Sequence, residues 1–355
     1  MSARASVPGA SSKLWRRPGP GRGRRADPRA PGWLESARPS APRIFWRLIT
    51  VRTPNLRGIL VSTVTPMNAE ADVDLPALKK WVDHLVVGGE VHGLVACDSA
   101  GEFATLERDE RMAVAEAVVQ AADDRVPVIV GVSHAATRAV RRFAEHAEKI
   151  GASALLLTPP IFMLPTHAEV VAHYEAVHDA TSLPIVLYNA PERTGVDLTP
   201  DLVAKLAELE RVVAIKESSG HIGRISHIKQ LVGDKLQVWC GMDEQAFENF
   251  AWGNRTWISG SANLLPRLHV QLYRSMVEDE NLKDGRAIAH SLLPVFRLLE
   301  SGGAYTQCIK LGCSMMGWRM GLPRPPLRAP SRDQEALLRA MLDMLRPFEV
   351  EKVTE

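Results

Sequence analysis

The sequence predicts an α/β protein, a closed (β/α)8 TIM barrel followed by a C-terminal helical region. From residue 57 onward, eight short apolar runs rich in β-branched residues alternate with segments of helical periodicity. The runs are continuous rather than alternating, which is typical of parallel strands that helices cover on both faces. No Gly-x-Gly-x-x-Gly follows the first run, so a barrel is favoured over a doubly wound dinucleotide-binding sheet.

Each strand–helix unit can be placed along the chain. The predicted strands are residues 58–64, 93–97, 126–132, 154–157, 184–188, 212–215, 236–240 and 256–259. Residues 111–119 are rich in strong helix formers, and Thr199 before Pro200 supplies a capping residue and a first-turn proline for another helix. Beyond about residue 264 the pattern is helical and is interrupted mainly at residues 323–330. We therefore assign residues 56–280 to the barrel and 281–355 to the C-terminal helical region.

Residues 1–55 differ from the rest of the chain and are predicted to be a disordered extension. They are rich in Arg, Pro, Gly, Ala and Ser, a mixture that buries too little apolar surface to offset chain entropy. Prolines argue against the amphipathic helix of an organelle transit peptide, and a nucleic-acid-binding arm would need interleaved aromatic residues. We favour a non-functional extension, with a true start near Val51 as one explanation, while a transit segment stays open.

Composition indicates an ordinary globular protein. The chain is 46% hydrophobic and 24% charged, with a net charge of +2. Twelve arginines and Lys13, against only Asp27 and Glu35, lie in residues 1–57, so the remainder is net acidic and no nucleic-acid partner is predicted. No apolar run approaches the roughly 20 residues of a membrane-spanning helix. We expect a cytoplasmic protein with no membrane contact.

The four cysteines give no sign of a disulfide framework or a metal site. Cys97, Cys240, Cys308 and Cys313 have no Cys-x-x-Cys spacing, and no His-Glu-x-x-His box is present. Buried, reduced thiols are the usual state of such residues. We therefore predict no metal and no disulfide.

Two residues at predicted strand ends suggest covalent chemistry, because barrel active sites lie at the carboxyl ends of the strands. Lys216 directly follows the sixth apolar run, where desolvation is expected to lower its pKa and free the amine as a nucleophile. Tyr188 ends the fifth run and would face the same cavity, where a phenol can transfer protons. A rim salt bridge for Lys216 and a core position for Tyr188 are equally open from each strand alone.

The turn after the second strand offers an anion site. Ser99, Ala100 and Gly101 follow Asp98, so a hydroxyl and backbone N–H groups are available to a carboxylate. A plain strand-to-helix turn is the alternative.

Taken together, these segments resemble the dihydrodipicolinate synthase and N-acetylneuraminate lyase family. The resemblance rests on Lys216 in Ala-Ile-Lys-Glu-Ser-Ser-Gly, Tyr188 in Leu-Tyr-Asn-Ala-Pro-Glu-Arg-Thr-Gly, the Ser-Ala-Gly-Glu turn at Ser99 and the Thr65-Pro66 pair, all in the family's order. It extends from about residue 57 to residue 347. It implies an enzyme that forms a Schiff base on a 2-oxo acid without a cofactor, assembled as a homotetramer, a dimer of dimers.

The resemblance also implies roles for individual residues. Lys216 would attack the ketone of pyruvate or a similar acid, and Tyr188 would be the general acid and base. Ser99 and the backbone of Ala100 would hold the carboxylate of the oxo acid. The family pattern further matches Arg193 to the arginine that binds the second substrate's carboxylate, Gly241 and Ile258 to positions whose backbone carbonyls line the pocket, and Asn263 to a neighbouring position.

Two departures from the family pattern limit the choice of substrate. Synthases carry Gly-Thr-Thr-Gly-Glu where this chain has Asp98, Ser99 and Ala100 before Gly-Glu, so one hydroxyl is lost and one charge is gained. Phe162 aligns with the tyrosine that a neighbouring subunit supplies to the synthase proton relay, and a phenylalanine carries no proton. We expect a lyase nominally like 4-hydroxy-tetrahydrodipicolinate synthase. Another 2-oxo acid aldolase or dehydratase is one alternative, and an inactive barrel that acts as a binding or regulatory protein is the other.

Overall fold

Eight parallel strands close into one barrel in chain order in the computed structural model, which describes residues 56–349. The prediction of a (β/α)8 barrel is confirmed. The strands are β1 (Gly58–Ser62), β2 (Gly93–Ala96), β3 (Val128–Gly131), β4 (Ala154–Leu157), β5 (Ile185–Asn189), β6 (Val212–Glu217), β7 (Gln237–Cys240) and β8 (Thr256–Ser259). The ring closes where β1 pairs with β8.

Helices follow the strands and continue beyond the barrel. They are α1 (Leu75–Asp83), α2 (Arg108–Ala122), α3 (Thr137–Lys149), α4 (His167–His178), α5 (Pro191–Thr194), α6 (Pro200–Leu206), α7 (Gly223–Val232), α8 (Ala246–Ala251), α9 (Pro266–Tyr273), α10 (Leu282–Ser301), α11 (Tyr305–Met315) and α12 (Arg332–Glu349). The predicted cap of α6 is present, since the Thr199 side chain accepts a hydrogen bond from the Leu202 N–H. The C-terminal region is helical as predicted, and the segment between α11 and α12 is not.

The strands alternate between two buried layers, and this alternation decides which side chains reach the barrel interior. Along β1, Leu60 belongs to a cluster inside the barrel, whereas Ile59 and Val61 pack in the larger cluster between strands and helices. Along β6, Ala214 points inward and Ile215 outward. Successive strand residues point to opposite faces, so the next residue, Lys216, points inward.

The described residues, 56–349, all belong to one compact unit. The division between a barrel at 56–280 and a helical region at 281–355 stays a prediction, and the predicted disorder of residues 1–55 lies outside the described residues. Within residues 56–349, no helix is long and apolar enough to cross a membrane.

Candidate active site

A pocket opens at the carboxyl ends of the strands, where barrel enzymes have their active sites. It encloses about 610 Å³ of empty space, part of it open to solvent. All seven residues that the sequence nominated line it: Ser99, Ala100, Tyr188, Arg193, Lys216, Gly241 and Ile258. Other lining residues, Ser62, Asp98, Glu300 and Tyr305 among them, were not nominated.

Lys216 lies at the base of this pocket in a buried ion pair. Its Nζ atom is 2.7 Å from Oδ2 of Asp98, and the two residues are only 4% and 2% exposed. The same Asp98 oxygen accepts a hydrogen bond of 2.9 Å from the Ser62 hydroxyl. The lysine therefore shares one carboxylate with a serine, and both partners are shielded from bulk water.

The expected low pKa of Lys216 is wrong for this environment. Desolvation does lower the pKa, but the negative charge of Asp98, the Tyr188 phenol and the hydrogen bonds of both together outweigh it, and the net shift is upward. Burial likewise raises the pKa of Asp98, yet Lys216 and the hydrogen bonds to the carboxylate bring it below its usual value. Both shifts favour the ammonium form of Lys216 and the carboxylate form of Asp98.

Tyr188 lies beside Lys216 because the two residues are directly paired between β5 and β6. The Lys216 ammonium is 3.9 Å from the centre of the phenol ring, a cation–π contact. The Tyr188 hydroxyl is 3.4 Å from Oγ of Ser99, which opens a short 3-10 helix after β2. A lysine, a phenol and a serine hydroxyl therefore meet in one space.

The outer part of the pocket carries charge of both signs. The guanidinium of Arg193 lies over the ring of Tyr305 at 5.7 Å and has no hydrogen-bond or ion-pair partner among residues 56–349. Glu300 comes from α10, and its carboxylate accepts a hydrogen bond from the Asp243 N–H. Burial and the nearby charge of Asp243 raise the pKa of Glu300 to about 7. Tyr305 donates to Asp243 over 2.7 Å.

Gly241 is required at its position because a side chain there would collide with the lysine. A Cβ atom on Gly241 would lie 2.6 Å from Cγ of Lys216 and would also overlap Oγ of Ser218. The absence of a side chain therefore leaves room for Lys216 to cross the pocket.

Asn263 and Thr65, both part of the family pattern, fasten the loops around the pocket. The Asn263 amide donates to the backbone oxygen of Ser62 over 2.7 Å and accepts from the indole N–H of Trp81. Thr65 donates to the backbone oxygen of Gly101 over 2.8 Å. These bonds join the end of β1 to the loops after β8 and β2.

Phe162 does not line the pocket. It is 87% exposed, in the loop that follows β4, next to exposed Met163 and Leu164. All four cysteines are buried free thiols. Within the described part of the chain, no group of three or more His, Cys, Asp or Glu side chains is placed to hold a metal ion.

The sequence analysis predicted Tyr188 beside Lys216 but not the ion pair of Lys216 with Asp98. Asp98 was noted only as an added charge, although an acidic residue two positions after a barrel strand is a signal for contact with a lysine on the opposite side. Glu300 and Tyr305 lie on helices beyond the barrel, so strand-end reasoning had no access to them.

Comparison with known proteins agrees with this architecture. The model of the Dihydrodipicolinate synthetase family matches residues 55–345. The 4-hydroxy-tetrahydrodipicolinate synthase of Methanothrix thermoacetophila is 35% identical over 289 residues, which cover 81% of this chain and 96% of the relative.

Solved structures superpose over the same region. The crystal structure of dihydrodipicolinate synthase from Acinetobacter baumannii complexed with pyruvate has a TM-score of 0.77 at 30% identity, over 81% of this chain and 98% of that one. A structure described as the first monomeric dihydrodipicolinate synthase variant also has a TM-score of 0.77, at 29% identity, over 81% of this chain and 96% of that one.

A closed parallel barrel with a polar pocket at the carboxyl ends of its strands defines a (β/α)8-barrel enzyme. The chain belongs to the dihydrodipicolinate synthetase family and is a lyase of that family.

Proposed function

We propose that the protein forms a Schiff base between Lys216 and pyruvate or a related 2-oxo acid. The observation that carries the proposal is the position of the Lys216 amine, buried in the pocket beside the Tyr188 phenol and near the hydroxyl of Ser99. The amine would add to the ketone and lose water to give an iminium ion. Loss of a proton from the neighbouring carbon gives an enamine, which adds to an aldehyde, or the reverse cleavage occurs. No cofactor takes part.

Each nominated residue has a task in this reaction. Tyr188 would move protons between the nitrogen and oxygen of the carbinolamine. Ser99 and the N–H of Ala100 would hold the carboxylate of the oxo acid, because the first N–H groups of a helical turn have no partner within it. The backbone oxygens of Gly241 and Ile258 would line the pocket next to the reacting carbon.

The second substrate would be an aldehyde that carries a carboxylate. The guanidinium of Arg193 lines the pocket and suits such a group, since guanidinium binds carboxylate through two parallel hydrogen bonds. The name of the Methanothrix relative supports a nominal reaction of pyruvate with aspartate semialdehyde. Ala100 and Phe162 support the alternative that the partner is a different aldehyde or that the enzyme dehydrates a sugar acid.

Reductive trapping tests the Schiff base. Incubation with pyruvate and sodium borohydride should add one reduced pyruvate to the protein, and peptide mass spectrometry should locate it on Lys216. A Lys216→Met variant is the control and should gain no mass. Wild-type protein that stays unmodified under pyruvate saturation would reject the proposal.

A panel of aldehydes with pyruvate then identifies the second substrate. Turnover with aspartate semialdehyde supports the synthase reaction. Turnover with another aldehyde, and none with aspartate semialdehyde, supports the alternative.

We further propose a homotetramer, a dimer of dimers, in the cytoplasm. The exposed apolar side chains of Phe162, Met163 and Leu164 support subunit contact in the loop after β4. Light scattering coupled to size-exclusion chromatography measures the assembly. A Phe162→Asp variant should yield smaller species if this loop lies in an interface.

A further inference from the structure

Asp98 and Lys216 approach each other across the barrel mouth. Asp98 follows β2 and Lys216 is the penultimate residue of β6, and these strands are four positions apart in a ring of eight, on opposite sides. The Lys216 side chain nevertheless reaches Oδ2 of Asp98 at 2.7 Å. This separation lies within the range for direct proton transfer.

Asp98 is held in this position by its neighbours. Ser62 donates to the oxygen that contacts the lysine, over 2.9 Å, and Asn263 holds the backbone of Ser62. Asp98 is 2% exposed, so bulk water does not compete for its protons. It also lines the pocket, which places it next to a bound oxo acid.

We infer that Asp98 is a catalytic residue that exchanges protons with Lys216 during imine formation. The inference rests on the proposed function and adds a second acid–base group to Tyr188. Asp98 differs from Tyr188 in its starting state, since the pair begins as a carboxylate and an ammonium.

The proton transfers in this reaction balance without any further reactant. Asp98 first takes one proton from the Lys216 ammonium, which leaves a neutral amine and a carboxylic acid. The amine then adds to the ketone carbon, the C–N bond forms and the carbonyl π electrons move to oxygen. A proton passes from nitrogen to that oxygen and gives a neutral carbinolamine. The acid of Asp98 protonates the hydroxyl, the C–O bond breaks, water leaves, and the nitrogen lone pair completes the iminium. Asp98 ends as a carboxylate beside the cation.

A purely structural role for Asp98 predicts the opposite behaviour of a variant. If the carboxylate only kept Lys216 charged, its removal would leave desolvation to lower the pKa of the amine. More free amine at neutral pH would then make imine formation faster. The acid–base role predicts slower imine formation, so the sign of the change separates the two.

The test measures the rate of pyruvate trapping on Lys216 by rapid mixing, borohydride quench and intact-mass analysis at pH 7. Asp98→Asn keeps the size and loses the acid, and the rate should fall about 100-fold, the lower range for loss of an acid–base group. Asp98→Glu should recover part of the rate. Asp98→Gly removes the carboxylate and serves if the asparagine variant does not fold, as judged by circular dichroism.

Glu102→Gln is the matched control. Glu102 also forms a buried pair with a lysine, Lys310 at 2.8 Å, but neither residue lines the pocket. This variant should change the trapping rate by less than about twofold. A folded Asp98 variant that traps pyruvate as fast as wild type, or faster, overturns the inference. Wild-type protein that traps no pyruvate rejects the proposed Schiff base itself.

Discussion

Residues 56–349 contain two buried lysine–carboxylate pairs, and they differ in surroundings rather than in geometry. Lys216 contacts Asp98 at 2.7 Å and Lys310 contacts Glu102 at 2.8 Å, all with almost no exposed side chain. Lys216 lines the pocket, whereas Lys310 also donates to the backbone oxygen of Leu322 and lies outside the pocket.

The two pairs also shift the lysine pKa in opposite directions. Desolvation is the largest cause for both. For Lys216 its effect is outweighed by Asp98 and Tyr188, so the pKa rises. For Lys310 desolvation and the nearby positive charge of Arg324 outweigh Glu102, so the pKa falls. A lowered pKa therefore does not identify the proposed nucleophile, and neither does a nearby carboxylate, since both lysines have one. Access to the pocket distinguishes Lys216 from Lys310.

Replacement of each lysine with methionine should give the largest difference in turnover between the two pairs. Both variants leave a buried carboxylate without its partner, and each should lower the free energy of unfolding by about 3–5 kcal/mol. Only Lys216→Met should also reduce turnover, by about 10⁴-fold or more, because the proposed covalent nucleophile is lost. Urea denaturation and steady-state kinetics measure the two effects. A folded Lys310→Met enzyme with similarly reduced turnover would break the comparison.

The next largest difference is expected between substitutions of two arginines, Arg193 in the pocket and Arg324 near Lys310. The Arg193 guanidinium lines the pocket and has no ion-pair partner within residues 56–349, whereas Arg324 is ion-paired with Glu110 at 2.6 Å. Arg193→Ala should raise the KM of a carboxylated aldehyde about tenfold, since charge-assisted hydrogen bonds are lost, and should leave pyruvate trapping unchanged.

Arg324→Ala is its matched control and should lower the melting temperature without raising that KM. An unchanged KM in Arg193→Ala would remove Arg193 from the second-substrate site.

A smaller effect is expected from adding a methyl group at Gly241, which contacts Lys216, and at Gly312, which lies two residues along the helix from Lys310 and contacts leucines. Gly241→Ala would press on Lys216, whereas a Cβ on Gly312, on the same helix as Lys310, would lie 2.5 Å from Cδ2 of Leu264. Each should cost about 1–3 kcal/mol of stability. Trapping of pyruvate should slow several-fold in Gly241→Ala alone, and equal slowing in Gly312→Ala would contradict the assignment.

The smallest effect concerns pH. The pKa of Glu300 is about 7, so its carboxyl is neutral below that pH and charged above it. Burial and Asp243 raise the value, and the positive charges of Arg193 and Lys216 oppose them. Ionisation of Glu300 offsets the charge of Arg193, so the KM of an anionic aldehyde should rise roughly two- to fivefold between pH 6 and pH 8.

Glu300→Gln should flatten this part of the profile. If the KM has the same pH dependence in this variant as in wild type, that dependence belongs to a group other than Glu300.

Sequence predicted the fold well because strand periodicity is local. The runs at 154–157 and 256–259 are β4 and β8 as observed, and the others agree within a few residues. The order of strand ends also brought Lys216, Tyr188 and Ser99 to one face of the barrel.

Contacts between elements that are far apart in the chain could not be predicted from the sequence. The pairing of Asp98 with Lys216 spans 118 positions, and it reversed the expected direction of the lysine pKa. Glu300 and Tyr305 enter the pocket from α10 and α11, whose approach to the barrel depends on packing rather than on any local pattern.

Residues of α10 and α11 line the pocket, so two parts of the chain, the barrel and these later helices, together form the site. The residues proposed for imine chemistry lie at the ends of β2, β5 and β6, while Glu300 and Tyr305 line the pocket from helices after the barrel. Asp243 links these helices to the strands through its bonds with both residues. Substitutions on these two helices should therefore change which aldehyde is accepted in the proposed reaction, while the strands that hold the lysine stay unchanged.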